Sequence, residues 1–243
     1  MPYQKFKRGI IPLFILIAVG IVFAAAGGAY IVRKEFVKTG KSGKTALDVE
    51  KVKQQIANPT PLPSPSPNSP KEYATGPFTY TPASPSPGSK TSSVPAFTIS
   101  PPSGWLKGQT SVAIVVSFDA PEEDEENGEE GLKVTSRATV SVQLQDLKEN
   151  VSTETLVSAL KERAQGEYEK VEFLSETKIT LSGQKAYILE SKFFRKGFWT
   201  HSFDYIMVKD TYAVVISGVS SDSASSKWSG AMKGSIETFA LKN

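Results

Sequence analysis

Apolar positions along this chain follow three different patterns. From Gly9 to Val32 there are 24 residues without a charge, led by Ile10, Ile11, Leu13, Phe14, Ile15, Leu16, Ile17, Val19, Ile21, Val22 and Phe23. At 1.5 Å per residue such a helix is about 36 Å long, enough to cross a hydrocarbon core of roughly 30 Å with some tilt. Residues 9–32 therefore read as one transmembrane helix behind a short basic N-terminus, 1–8. Beyond Ala96 the pattern alternates in two-residue steps. Phe97-Thr98-Ile99 reads as a short strand, 112–118 as a buried one, and Ala138, Val140, Val142 and Leu144 as a strand with one covered and one polar face. A third pattern, with helical spacing, sets Leu156, Val157, Leu160 and Ala164 in one stripe. Ser152 or Thr153 is positioned to cap this helix, and Gly166 to end it.

Four further strands are expected at about 171–181, 185–194, 198–208 and 212–219. The short turns Ser182-Gly183, Arg195-Lys196-Gly197 and Lys209-Asp210 separate them, which implies antiparallel hairpins. A last helix, about 223–239, aligns Trp228, Met232, Ile236 and Phe239 on one face. The order β-β-β-α-β-β-β-β-α is α+β: an antiparallel sheet of about six to seven strands covered by helices, over 96–243.

Between anchor and domain, periodicity fails. Residues 33–58 form a basic juxtamembrane segment in which Leu47, Val49, Val52 and Ile56 have the spacing of a short helix. Residues 59–95 hold eleven of the sixteen prolines. Prolines at alternate positions remove backbone donors and fix φ, so this segment reads as a disordered stalk of polyproline II character. Fully extended at about 3.1 Å per residue, it reaches roughly 115 Å.

Charge sharpens the division. Residues 1–95 carry 12 Lys/Arg against 4 Asp/Glu, whereas 96–243 carry 16 against 21. The basic balance belongs to the anchor and stalk, so anionic lipid, and not nucleic acid, is the expected acidic partner. Positive residues are denser after the helix (Arg33, Lys34, Lys38, Lys41, Lys44) than before it, which favours a cytoplasmic C-terminal side. The layout of a short basic N-terminus, a helix and a long polar chain favours the opposite orientation, a signal anchor with an extracytoplasmic domain. Ala24-Ala25-Ala26 before Gly27 also allows signal cleavage. Gly20, Ala24 and Gly28 have the small-residue spacing that lets two membrane helices pair weakly. Cysteine is absent, which excludes disulfides, thiolate catalysis and cysteine-ligated metals.

The element order, together with Pro102-Ser103-Gly104-Trp105 after the first strand of the domain and Leu181-Ser182-Gly183-Gln184-Lys185-Ala186 between two middle strands, resembles the PsbP-like family, which includes the Ran-binding Mog protein and bacterial extracytoplasmic lipoproteins. The resemblance covers about 96–241. It implies an α/β/α sandwich that mainly binds partner proteins, and it transfers no ligand site residue by residue.

Candidate chemistry is sparse. Gly40-Lys41-Ser42-Gly43-Lys44-Thr45 imitates the end of a P-loop, but Lys38 stands where its first glycine belongs. Ser158-Ala159-Leu160-Lys161 and Lys38-Thr39-Gly40 occur in the reverse of the penicillin-binding order. His201 is the one histidine, so a Ser-His-Asp triad would need it, with Asp204 or Asp210 as orienter. Its strand sets it beside Trp199, Phe203, Tyr205 and Met207, where a packed histidine is the expectation. The acidic run 122–130 has the oxygen ligands for calcium, yet with Gly128 at the sixth EF-hand position the twelfth falls on Val134. No catalytic residue, metal site or cofactor follows. Phe194, Arg195, Lys196 and Phe198, around a tight turn, are the candidate recognition residues, since aromatic anchors beside cations concentrate interface energy. The expected function is a non-enzymatic binding or assembly module, anchored in the bilayer through 9–32 and displayed outside the membrane toward a protein partner. The alternatives are a surface enzyme using His201 or the acidic loop, and a cell-envelope spacer.

Overall fold

The computed structural model describes residues 72–82, 94–111, 113–128, 133–147 and 150–242. The expected transmembrane helix, the juxtamembrane segment and much of the stalk lie outside them. Among the described residues no helix is long and apolar enough to cross a membrane.

Twelve strands and two helices are described: β1 (Phe78–Tyr80), β2 (Ala96–Ile99), β3 (Leu106–Lys107), β4 (Ile114–Asp119), β5 (Asp124–Asn127), β6 (Lys133–Ser136), β7 (Thr139–Asp146), α1 (Thr153–Glu167), β8 (Lys170–Leu181), β9 (Gln184–Arg195), β10 (Phe198–Lys209), β11 (Tyr212–Ser221), α2 (Ser225–Glu237) and β12 (Ala240–Lys242). Seven strands form one antiparallel sheet in the order β3-β4-β7-β11-β10-β9-β8. The turns at Ser182-Gly183 and Lys196-Gly197 have φ of 49° and 74°, and of 53° and 85°, the double left-handed conformation that matches strand twist in a two-residue hairpin. Turn chemistry thereby fixes the register of β8, β9 and β10, and β11 follows after Asp210, at φ 55°.

The helices lie on opposite faces. α1, capped by Ser152 Oγ accepting from the Thr155 amide at 3.1 Å, buries Leu156, Val157, Leu160 and Ala164 against Tyr187, Leu189, Ile206 and Val215. α2 buries Trp228, Met232 and Ile236 against Phe203, Tyr205, Val214 and Ile216. Gly218 makes that contact possible: a Cβ there would stand 3.0 Å from the Cβ of Met232. The α+β fold expected from periodicity, an antiparallel sheet covered by helices, is therefore present, with seven strands in the main sheet.

Three details depart from the sequence reading. First, the stalk is expected to run to 95, yet residues 78–80 within it form β1, which pairs with β2, while β12 pairs with the other edge of β2. Proline density argues for the stalk, but Pro77 and Pro82 only flank an edge strand, where a missing donor is tolerated. The rings of Phe78 and Tyr80 then reach Phe97 at centroid distances of 6.1 and 5.3 Å. Second, the alternate face of β7 is not open to solvent: Ser141 and Gln143 are buried. Third, Gly166 lies within α1, which runs on to Glu167 before Tyr168 caps it.

Candidate functional site

The two-residue turn joining β9 to β10 presents Arg195 and Lys196 to solvent and turns its aromatic neighbours inward. Phe194 is 4% exposed and Phe198 7%. Phe194 packs on Trp199 at 5.2 Å, beneath the Lys170 ammonium at 4.6 Å. Glu169 Oε1 accepts from the Lys196 amide at 2.9 Å, which holds the turn in place. Of the four candidate residues Phe194, Arg195, Lys196 and Phe198, the two cations are surface groups and the two phenylalanines are buried beneath them.

The acidic run is a second hairpin, β5 paired with β6, and it is tied to the same end of the sheet. Gly128 lies so close to the Phe198 ring and the Gly197 carbonyl that a Cβ there would overlap the ring. Asp124 Oδ2 accepts from Trp228 Nε1 at 2.5 Å, and Lys227 Nζ binds both Asp124 and Glu122 at 2.9 Å. At the base of the hairpin, Arg137 donates to the Ala120 and Pro121 carbonyls and to Glu123 at 2.7–2.8 Å. Val134 is a buried strand residue and not a ligand. Much of the acidic charge already has a basic partner, and among the described residues no group of three or more metal-ligating side chains converges.

Below the hairpin sits His201, 7% exposed and stacked on Phe203 at 4.7 Å. Its Nε2 is 2.9 Å from Glu190 Oε1, and its Nδ1 is 3.6 Å from Asp222 Oδ1. Lys192 Nζ binds Asp222 at 2.8 Å. Burial, and then the charge of Asp222, push the Glu126 carboxyl of β5 up to about 7. Neither proposed orienter is here. Asp204 lies on the opposite face of the sheet, and Asp210 occupies the turn at the far end of β10. The acids beside His201 are Glu190 and Asp222, which sequence reasoning missed. The turn at Lys196-Gly197 carried the signal for Glu190: its register sets Lys192 opposite His201 and Glu190 on the next rung of the same face.

Both ring nitrogens of His201 face carboxylates. A general base acting on a hydroxyl nucleophile needs one nitrogen turned toward that hydroxyl, within about 2.6–3.2 Å. Ser220, opposite His201 in the register, has no hydrogen-bond partner for its buried hydroxyl. Within the cluster, Lys192 on β9 binds Asp222, which follows β11, and His201 on β10 contacts Glu190 on β9.

This arrangement defines an α+β domain with a helix on each face of an antiparallel sheet and a charged hairpin and turn gathered at one end. No protein-family model matches the sequence, and no curated protein matches it. Its structure is similar to LpqN of Mycobacterium tuberculosis, a protein involved in cell envelope biogenesis, at 12% identity and a TM-score of 0.51, over 69% of this chain and 91% of LpqN. It is also similar to CyanoP, the PsbP of Synechocystis sp. PCC 6803, at 13% identity and a TM-score of 0.45, over 75% and 100% of the two chains. PA94 of Pseudomonas aeruginosa, a protein of unknown function, matches at 13% identity and a TM-score of 0.46, over 60% and 92%. At such identities the likeness to LpqN concerns the fold alone.

Proposed function

We propose that this chain is a membrane-anchored, PsbP-like binding or assembly module, held outside the membrane on a proline-rich stalk and acting through the charged end of its sheet. The observation that carries the reading is the contact of Gly128 with Phe198, which sets an acidic hairpin beside a basic turn on one rigid support. Glu122, Glu123 and Glu125, in or just before β5, are exposed on the hairpin side, and Arg195 and Lys196 are exposed at the turn. Opposite charges displayed side by side give orientation and on-rate to an encounter with a protein surface of complementary pattern. In the histidine cluster Nε2 of His201 is held by Glu190 at 2.9 Å, while Nδ1 stands 3.6 Å from Asp222 Oδ1, beyond hydrogen-bond distance. The uncharged run 9–32 supports the anchor, and the shared fold of LpqN, an envelope-biogenesis protein, supports a place at the cell envelope.

Charge reversal tests the surface. In pull-downs from solubilised membranes with the full-length chain as bait, Arg195→Glu with Lys196→Glu is expected to remove the specific partner while leaving the circular dichroism spectrum unchanged. Retention of the same partners by this variant contradicts the reading.

A further inference from the structure

The sheet face that carries α1 is not apolar throughout. The register puts Ser117, Ser141, Ser217 and Asp204 in one row across β4, β7, β11 and β10, with Ser202 and Ser191 on the rung to one side and Gln143 on the rung to the other. Asp204, 6% exposed, accepts from Ser202 Oγ at 2.8 Å and from Ser217 Oγ at 2.5 Å. Burial pushes its carboxyl up to about 6 against those two donors, and no basic side chain offsets the effect. Gln143 is 1% exposed, and neither atom of its amide has a hydrogen-bond partner. The Ser191 hydroxyl is buried and unpartnered as well. Buried polar groups are ordinarily satisfied, so a carboxylate without a cation and an amide without partners on one strip mark a place where another molecule completes the bonding. On the Gln143 rung itself, Val215 and Ile206 are apolar and pack under Leu156 and Leu160 of α1.

We propose that this strip binds a small alkylammonium ligand, its ammonium group held by Asp204 and the neighbouring serine hydroxyls and its alkyl chain lying against the apolar residues under α1. An ammonium group brings the missing positive charge and up to three donors, and it suits an acceptor-rich strip of carboxylate and hydroxyl oxygens. The charged and titratable groups nearest Asp204 do not provide that charge. Arg163 of α1 is paired with Glu167, Lys161 is held by Glu176 of β8 at 3.0 Å, and Asp119 lies at the far, β4 end of the strip. Tyr168, after α1, is a phenol pushed up to about 12, chiefly by burial, and so stays neutral in the working range. The site uses none of the hairpin or turn residues and stands independently of the partner-binding reading.

The test uses the full-length chain and two probes of nearly equal shape, n-pentylammonium and the uncharged 1-pentanol, followed by titration calorimetry. Binding of n-pentylammonium is expected at millimolar concentration or below, with 1-pentanol at least tenfold weaker. Since the carboxylate must be ionised, affinity at pH 5 is expected to be about tenfold lower than at pH 7, following a group that titrates near 6. Asp204→Asn, which keeps the side-chain volume, is expected to abolish the preference for the amine over the alcohol. The wild-type pH profile provides a readout that does not depend on how this variant folds. Equal affinity for the two probes, a flat profile between pH 5 and 7, or no binding of n-pentylammonium at millimolar concentration overturns the proposal.

Discussion

Replacing Trp228 with alanine is expected to lower stability by about 3–5 kcal/mol, the range for deleting a large aromatic side chain from a well-packed core. Trp228 lies edge-on to Trp105, with ring centroids 5.7 Å apart and planes at 90°. Such a pair contributes about 0.5–1.5 kcal/mol beyond area burial. Its indole N–H also donates to Asp124 of the acidic hairpin, and Lys227 sits over the ring at 4.3 Å. The truncation therefore acts twice, opening a cavity under α2 and releasing the hairpin from the helix. Trp228→Phe separates the effects. It keeps most of the ring but removes the donor, at a cost of about 1–3 kcal/mol for the largely buried Asp124 oxygen left unpaired. Urea denaturation measures the stability, and limited proteolysis with a glutamate-specific protease reads the hairpin. If Trp228→Phe leaves cleavage around Glu122–Glu126 at the wild-type rate, the indole bond is not what anchors the hairpin.

The second large effect is on pH dependence. The native carboxyl of Asp204 titrates at about 6, against 3.8 for the ordinary group, because burial disfavours its charge. Between those values the folded chain holds a proton that the unfolded chain has lost, so stability falls as pH rises from about 4 to 6. A shift of about two units corresponds to a fall on the order of 3 kcal/mol. Glu126, pushed up to about 7, acts with the same sign between its ordinary value of 4.5 and 7. Asp204→Asn is expected to remove the first part of the slope and keep the second. The difference in unfolding free energy between wild type and variant, followed by urea denaturation from pH 4 to pH 8, isolates Asp204 from the other titrating groups. A difference that stays constant across that range means that Asp204 has the same proton affinity folded and unfolded.

Local signals carried most of the architecture. Two-residue periodicity located β8 to β11, glycine at Gly183 and Gly197 announced the tight turns between them, and the Leu156-Leu160-Ala164 and Trp228-Met232-Ile236 stripes marked the two helices. What periodicity does not encode is the partner of an edge. β1 is three residues between prolines, and its pairing with β2 and the contact of Phe78 and Tyr80 with the Phe97 ring, distant in sequence, are what place it. The polar face of β7 misled for a related reason. Ser141 and Gln143 look like solvent-facing residues of a half-covered strand, whereas β7 lies between β4 and β11 with both faces covered.

The candidate site was legible in part. Arg195 and Lys196 stood out as a basic turn, and the apolar surroundings of His201 pointed correctly to a packed histidine. Its acidic neighbours were hidden because Asp222 follows β11 and Glu190 lies on β9, so their approach depends on sheet register and not on sequence spacing. The link between hairpin and turn was equally remote, since Gly128 reads as a loop glycine until Phe198 is placed against it.

The central claim, that the chain recognises a partner through the end of the sheet where hairpin and turn meet, is tested most directly by photo-crosslinking from the full-length chain expressed in cells. A photoreactive residue at Lys196 is compared with one at Asp210, which is also exposed but occupies the turn at the opposite end of β10. The account predicts a discrete crosslinked partner from position 196 and none from position 210. Crosslinking of the same partner from 210 and not from 196, or equally from both, contradicts it.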